Sequence, residues 1–129
     1  MSFARSLLGY RDFWGLEPIR RLIDQAPEFD RAQESADAAR TLLIFETSKQ
    51  RTWLVATPLR VYCVLDDVRK ERPRVQWSVS KADAAHVETR PKTDQTGVVD
   101  VGKRNHWWLY STRLFTEKPI EQHISELIA

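Results

Sequence analysis

Trp53-Leu54-Val55-Ala56-Thr57-Pro58-Leu59-Arg60-Val61-Tyr62-Cys63-Val64-Leu65-Asp66 is the stretch on which the fold turns. Side chains alternate along an extended chain, so Trp53 and Val55 face one way while Leu54 and Ala56 face the other. Thr57-Pro58-Leu59 then reverses the direction, because proline fixes φ and has no N–H to give to a ladder. Beyond it Val61, Cys63 and Leu65 alternate against Arg60, Tyr62, Val64 and Asp66. The pattern predicts two antiparallel strands joined in a hairpin.

The same period continues on both sides. Upstream, Leu42-Leu43-Ile44-Phe45 is a continuous apolar run that reads as a buried first strand, followed by the polar turn Thr47-Ser48-Lys49-Gln50. Downstream, the charged loop from Asp67 to Pro73 leads into a strand from Arg74 to Ser80, with Val75, Trp77 and Val79 on one face. Ala84 to Arg90 reads as a further strand after Lys81-Ala82-Asp83, and Pro91 to Thr96 as a polar loop. Gly97 to Val101 and His106 to Tyr110 complete seven strands, joined by Gly102-Lys103-Arg104-Asn105, where Gly and Asn accept positive φ.

Helical signals bracket this region. At the C-terminal end Thr116 is placed as N-cap with Pro119 in the first turn. Ile120, Ile124, Leu127 and Ile128 then fall on one face, with His123 beside them. At the other end Glu17-Pro18 opens a short helix carrying Ile19, Leu22 and Ile23, stopped by Ala26-Pro27. From Pro27 to Arg40, Phe29, Ala32, Ala36 and Ala39 share a stripe, which predicts a second helix with a shallow apolar face. Residues 1–40 are thus expected to form a helical extension and 41–129 a strand-rich domain, together one structural unit of α+β class.

Composition narrows the function classes. Cys63 is the only cysteine among 129 residues, which excludes an intrachain disulfide or a Cys-rich zinc site. Met1 to Gly9 has no apolar run of signal-peptide length, and no stretch approaches the roughly 18 residues of a membrane span, so a cytoplasmic protein is expected. The formal net charge of +2 is too small to imply a polyanionic partner. Fourteen of the 20 basic residues are arginine, whose planar fork pairs with carboxylate or phosphate and stacks on aromatic rings. Against that, most surface ion pairs have no function beyond solvation.

Seven antiparallel strands closed by one amphipathic helix resemble the pleckstrin-homology-like (PH-like) superfold. The run from Trp53 to Asp66 is similar to the second and third strands of bacterial PH and GRAM-type domains, where an apolar run, Ala-Thr, a turn, Arg and a second apolar run recur. The resemblance covers roughly Thr41 to Ala129. It implies a rolled β-barrel plugged at one end by the helix, and ligands ranging from lipid headgroups to phosphopeptides and proteins.

Candidate binding residues follow from charge and strand parity. Lys49 and Arg51 lie in the loop that matches the inositol-phosphate loop of many PH domains, but supply only the end of that pattern. Arg69, Lys70, Arg72 and Arg74 form the densest basic run, which with Lys103 and Arg104 would make a patch for phospholipid headgroups or nucleic acid. Asp66, Asp67 and Glu71 interrupt it, so a self-neutralised loop is the competing reading. Trp107 and Trp108 must point to opposite faces, one into the core and the other outside or under the N-terminal helices. An outward one beside Arg104 or Arg113 would stack a base or anchor a partner, and Trp108 is the candidate for it, with packing under the extension as the competing reading. Cys63 reads as a core thiol. A small enzyme would need His86 or His106 with Glu88 or Asp100 in a cleft under the N-terminal helices. No metal-ligand spacing and no cofactor motif occurs, leaving a non-enzymatic binding or scaffold module that contacts a protein or itself as the leading expectation.

Overall fold

In the computed structural model, residues 17–35, 39–67, 73–102 and 106–129 are described. The hairpin forms as its sequence demands: β2 (Gln50–Ala56) and β3 (Arg60–Asp67) pair antiparallel, with Leu54 opposite Cys63 and Ala56 opposite Val61. Thr57 closes the reversal from both sides. Its N–H donates to the Arg60 carbonyl at 2.9 Å, and its hydroxyl accepts the Arg60 N–H at 3.1 Å, so Pro58 leaves no ladder bond unmet.

β1 (Arg40–Glu46) and β4 (Arg74–Ser80) flank this hairpin, giving a four-stranded sheet in the order β1-β2-β3-β4. β5 (Val87–Pro91), β6 (Thr96–Val101) and β7 (Trp107–Ser111) form a second antiparallel sheet in sequence order. The protein is therefore α+β, with two antiparallel sheets and a C-terminal helix. The expected barrel does not close, because among the described residues no ladder joins one sheet to the other. Isolated bonds bridge them instead: the Glu46 N–H donates to Ser111 Oγ at 3.3 Å, and the Trp77 indole N–H to the Trp107 carbonyl at 3.2 Å.

Between the sheets lies the main core. Leu42, Ile44, Leu54, Ala56, Val61 and Cys63 face Val99 and Val101 of β6, with Ile120, Ile124 and Leu127 inserted from α3, the C-terminal helix (Ile120–Ile128). The other face of the first sheet is also buried. Leu43, Trp53, Val55, Tyr62 and Val64 pack under Ile19, Ile23, Ala26 and Phe29 of the N-terminal segment, where α1 spans Glu17–Asp24. Two bulges decide which residue serves which core. In β1 the register skips at Ile44, so Ile44 and Phe45 both turn inward. In β4 it skips at Gln76, and Val75 is thrown to the outer core while Trp77 and Val79 stay inside, so the single face expected for all three is corrected.

Three other expectations yield to local hydrogen bonding. Residues 27–35 form turns, not the start of a helix over 27–40: Asp30 Oδ1 takes the Ala32 N–H at 3.0 Å, while Phe29 and Ala39 of the expected stripe are buried in the outer core. Ala32 is exposed, and residues 36–38 lie outside the described ones. The strand expected from Ala84 starts later: Lys81–Ala84 is a single helical turn, α2, which Ser80 Oγ caps by accepting the Asp83 N–H at 3.2 Å, delaying β5 to Val87. α3 begins later than Thr116 would set it. Pro119 is its N-cap, with the extended φ and ψ that proline allows.

Gly97 lets the Tyr110 ring lie directly against the β6 backbone. It stands opposite Tyr110, and a Cβ there would lie 2.5 Å from two ring atoms of that tyrosine. Tyr110 meets Phe115 edge-on at 5.9 Å between centroids, and Phe115 meets His123 at 5.2 Å, so the ring cannot retreat without disturbing the helix. Gly97→Ala is expected to cost about 1–3 kcal/mol, read as a lower urea midpoint. Gly102, at φ +81, takes the left-handed backbone expected of the β6–β7 turn.

His123 is buried on α3. Desolvation pushes its imidazole below the ordinary value, and the Lys118 ammonium adds to this against the opposing Glu126 and Glu117 carboxylates. The unfolded chain therefore takes up the proton first as pH falls. Stability should be complete above an ordinary histidine value of 6.5 and decline below it until the folded protein protonates too. Denaturation midpoints between about pH 7.5 and about pH 5 test this, with His123→Asn flattening the slope.

Candidate functional site

The basic candidates divide. Lys49 and Arg51 leave the β1–β2 turn, where Thr47 Oγ1 accepts the Lys49 and Gln50 N–H groups, and Arg74 opens β4 opposite Leu65 at the same end of the sheet. Lys49 and Arg74 are exposed. Arg51 is already committed, its Nε lying 3.1 Å from Glu46 Oε2 and its strand position facing Asp66. Burial lifts the Asp66 carboxyl above its ordinary value; the Arg51 charge opposes this and Asp67 adds to it. Arg69, Lys70, Arg72, Lys103 and Arg104 lie outside the described residues. The described residues on either side of Lys103 and Arg104 lie near β4 and the helical turn after it: a Cβ on Gly102 would come 3.3 Å from the Val79 side chain and 3.5 Å from the Asp83 carbonyl, and His106 stacks obliquely on Trp77 at 5.3 Å.

The tryptophan pair divides between the two faces, as alternation requires. Val99 stands opposite Trp108, so that indole turns into the core, where its N–H donates to Thr52 Oγ1 at 2.9 Å. Trp108 is thus a core residue rather than an outward anchor. Trp107 carries the exposed indole, 51% accessible, on the outer face of the second sheet.

A row of three residues runs across that face. Glu88, Asp100 and Trp107 stand opposite one another on β5, β6 and β7. Asp100 is only 8% exposed, and its Oδ1 is buried with no hydrogen-bond partner. Among the described residues neither carboxylate has a basic partner. The adjoining row is Arg90, Val98 and Leu109. Sequence reading missed this arrangement because Asp100 was weighed only beside a histidine. A signal was available: counting outward from the Gly102–Asn105 turn pairs Asp100 with Trp107.

The outer face of the first sheet is covered instead. Glu34, 9% exposed, fastens the N-terminal segment to the β2–β3 turn by accepting the Leu59 N–H at 2.9 Å, the Asp30 N–H at 3.1 Å and the Thr57 hydroxyl. Beneath the segment, the Trp53 indole nitrogen and Tyr62 hydroxyl are buried without partners among the described residues. Burial pushes the Tyr62 phenol up to about 12, Glu34 adding to the shift and Arg60 opposing it, so the ring stays neutral.

The nucleophile and metal inventory stays apart. Cys63 is fully buried, and burial alone drives its thiol far up, away from thiolate chemistry. His106 lies against Trp77 of the inner core, Glu88 and Asp100 stand on the outer face, and the exposed His86 precedes β5, two positions before Glu88. No group of three or more potential metal ligands occurs among the described residues. Nor is any helix among them long and apolar enough to cross a membrane. No protein-family model matches the chain, and neither a curated protein nor a solved structure matches it.

Proposed function

We propose that the chain is a non-enzymatic, PH-like binding module that works through protein contact. The PH-like reading draws support from the division into four and three antiparallel strands in sequence order, with a closing helix whose Ile120, Ile124 and Leu127 fill the space between the sheets. Protein contact rests on one observation, the half-exposed Trp107 in the middle of a sheet face that carries no helix among the described residues. Large aromatic side chains concentrate binding energy when a partner desolvates them. The matching face of the first sheet is occupied by the chain's own N-terminal segment, which directs a partner to the second.

The test uses the full chain and Trp107→Ala as parallel baits in quantitative affinity capture, with sedimentation to detect self-association. Proteins enriched by the wild type and lost with the variant, at unchanged melting temperature, support the reading. Identical recovery with both baits, together with a monomer at every concentration, defeats it.

A further inference from the structure

The row Glu88–Asp100–Trp107 is incomplete as it stands. Directly opposed residues on neighbouring strands hold their Cβ atoms about 4.5–5.5 Å apart, where like charges repel. Glu88 and Asp100 are such a pair, and no basic side chain neutralises either among the described residues. Arg90 is two positions along β5 and stands opposite Val98, in the adjoining row. Asp100 is more than nine-tenths buried, with one oxygen lacking any donor. Buried acceptors are nearly always satisfied, so an orphan one beside an exposed aromatic ring marks a place where a donor is expected to arrive.

We infer that this row is the docking site for an arginine side chain of a partner protein, with Asp100 and Glu88 taking the guanidinium edge and the Trp107 indole its face. Three features select this ligand. The charge must be positive, since two carboxylates stand opposite each other without a counter-ion among the described residues. The group must carry several donors in one plane, because two acceptors lie side by side across adjacent strands. It must also tolerate stacking on an apolar ring, which guanidinium does better than the strongly hydrated lysine ammonium. Asp100 Oδ1 is buried, so the guanidinium reaches it as neighbouring side chains move; of the two residues opposite it, Glu88 is exposed and Trp107 is half in solvent, its ring stacked on Trp108 at 6.4 Å. The inference rests on the protein-contact reading above and specifies what the partner presents.

The experiment titrates isotope-labelled full chain with the pentapeptide Gly-Leu-Arg-Leu-Gly and with its citrulline counterpart, which keeps the shape and loses the charge. The arginine peptide should shift the Trp107 indole N–H resonance and the backbone amides of Val98 to Val101. The citrulline peptide should bind at least about tenfold more weakly. Asp100→Asn, nearly isosteric, should weaken the arginine peptide by about tenfold without lowering the melting temperature, and a lysine peptide should fall between arginine and citrulline. Equal binding of the arginine and citrulline peptides, shifts confined to other residues, or full affinity in Asp100→Asn overturns the proposal. So does self-association that Asp100→Asn abolishes, since the occupant would then be a second copy. Natural partners lost with Trp107→Ala but kept by Asp100→Asn would remove the arginine and leave the contact module standing. Partners kept by both variants would remove the module itself.

Discussion

Ile124→Ala is expected to lower the free energy of unfolding by about 2–5 kcal/mol, the largest effect of any truncation considered for this chain. Ile124 is completely buried on α3, flanked by Ile120 and Leu127 and surrounded by residues of both sheets. Among the described residues those sheets have no ladder between them, and the space they enclose is filled by side chains and by this helix. Removing three carbon atoms leaves a cavity that two rigid sheets cannot close by sliding together, and the cavity cost adds to the lost transfer energy. With total stability on the order of 5–15 kcal/mol for a domain this size, the variant should be marginal at physiological temperature. Urea denaturation checks the magnitude. Ile124→Val should cost only about 0.5–1.5 kcal/mol, and the exposed Ser125→Ala on the same helix should stay within roughly 0.5 kcal/mol of wild type.

The second large effect is expected at Glu34. Its carboxylate accepts hydrogen bonds from two backbone N–H groups and one hydroxyl, tying the N-terminal segment to the β2–β3 turn. Alanine there leaves the Leu59 N–H and Thr57 hydroxyl without that acceptor in a half-buried setting, for a loss of about 2–4 kcal/mol. Glutamine, which keeps one carbonyl oxygen, should recover roughly half of it. Hydrogen exchange locates the damage: amides from Ile19 to Phe29 should lose protection far more than those of β6. Uniform loss across the chain would show instead that segment and sheets unfold as one cooperative unit.

Much of the architecture was legible because it follows parity. Trp53, Leu54, Val55 and Ala56 divide between the two cores as alternation requires, and so do Val61, Tyr62, Cys63 and Val64. The helical face of Ile120, Ile124 and Leu127 is buried as its spacing demands. What escaped was set by register or by single side chains. Nothing in Val75-Gln76-Trp77 announces a bulge, since it arises from how β4 meets β3. Asp30 overrode the alanine stripe from within its own turn, and Ser80 turned Ala84 into a helical residue. The site was harder still. Parity says that Trp107 and Trp108 face opposite ways but not which is outside, and Asp100 gains meaning only once Glu88 and Trp107 are known to flank it.

The first sheet, covered on one side by α3 and the second sheet and on the other by the N-terminal segment, has a consequence for how the gene can vary. In most sheets with one wet face, every second codon tolerates polar substitution. Along Thr52–Ala56 and Val61–Val64, where consecutive side chains are all buried, that rhythm should vanish, and a saturation scan should return two unbroken blocks of intolerance. In β5 the ordinary alternation should reappear. Sequence drift in this protein is thereby steered toward the second sheet, the surface that faces outward.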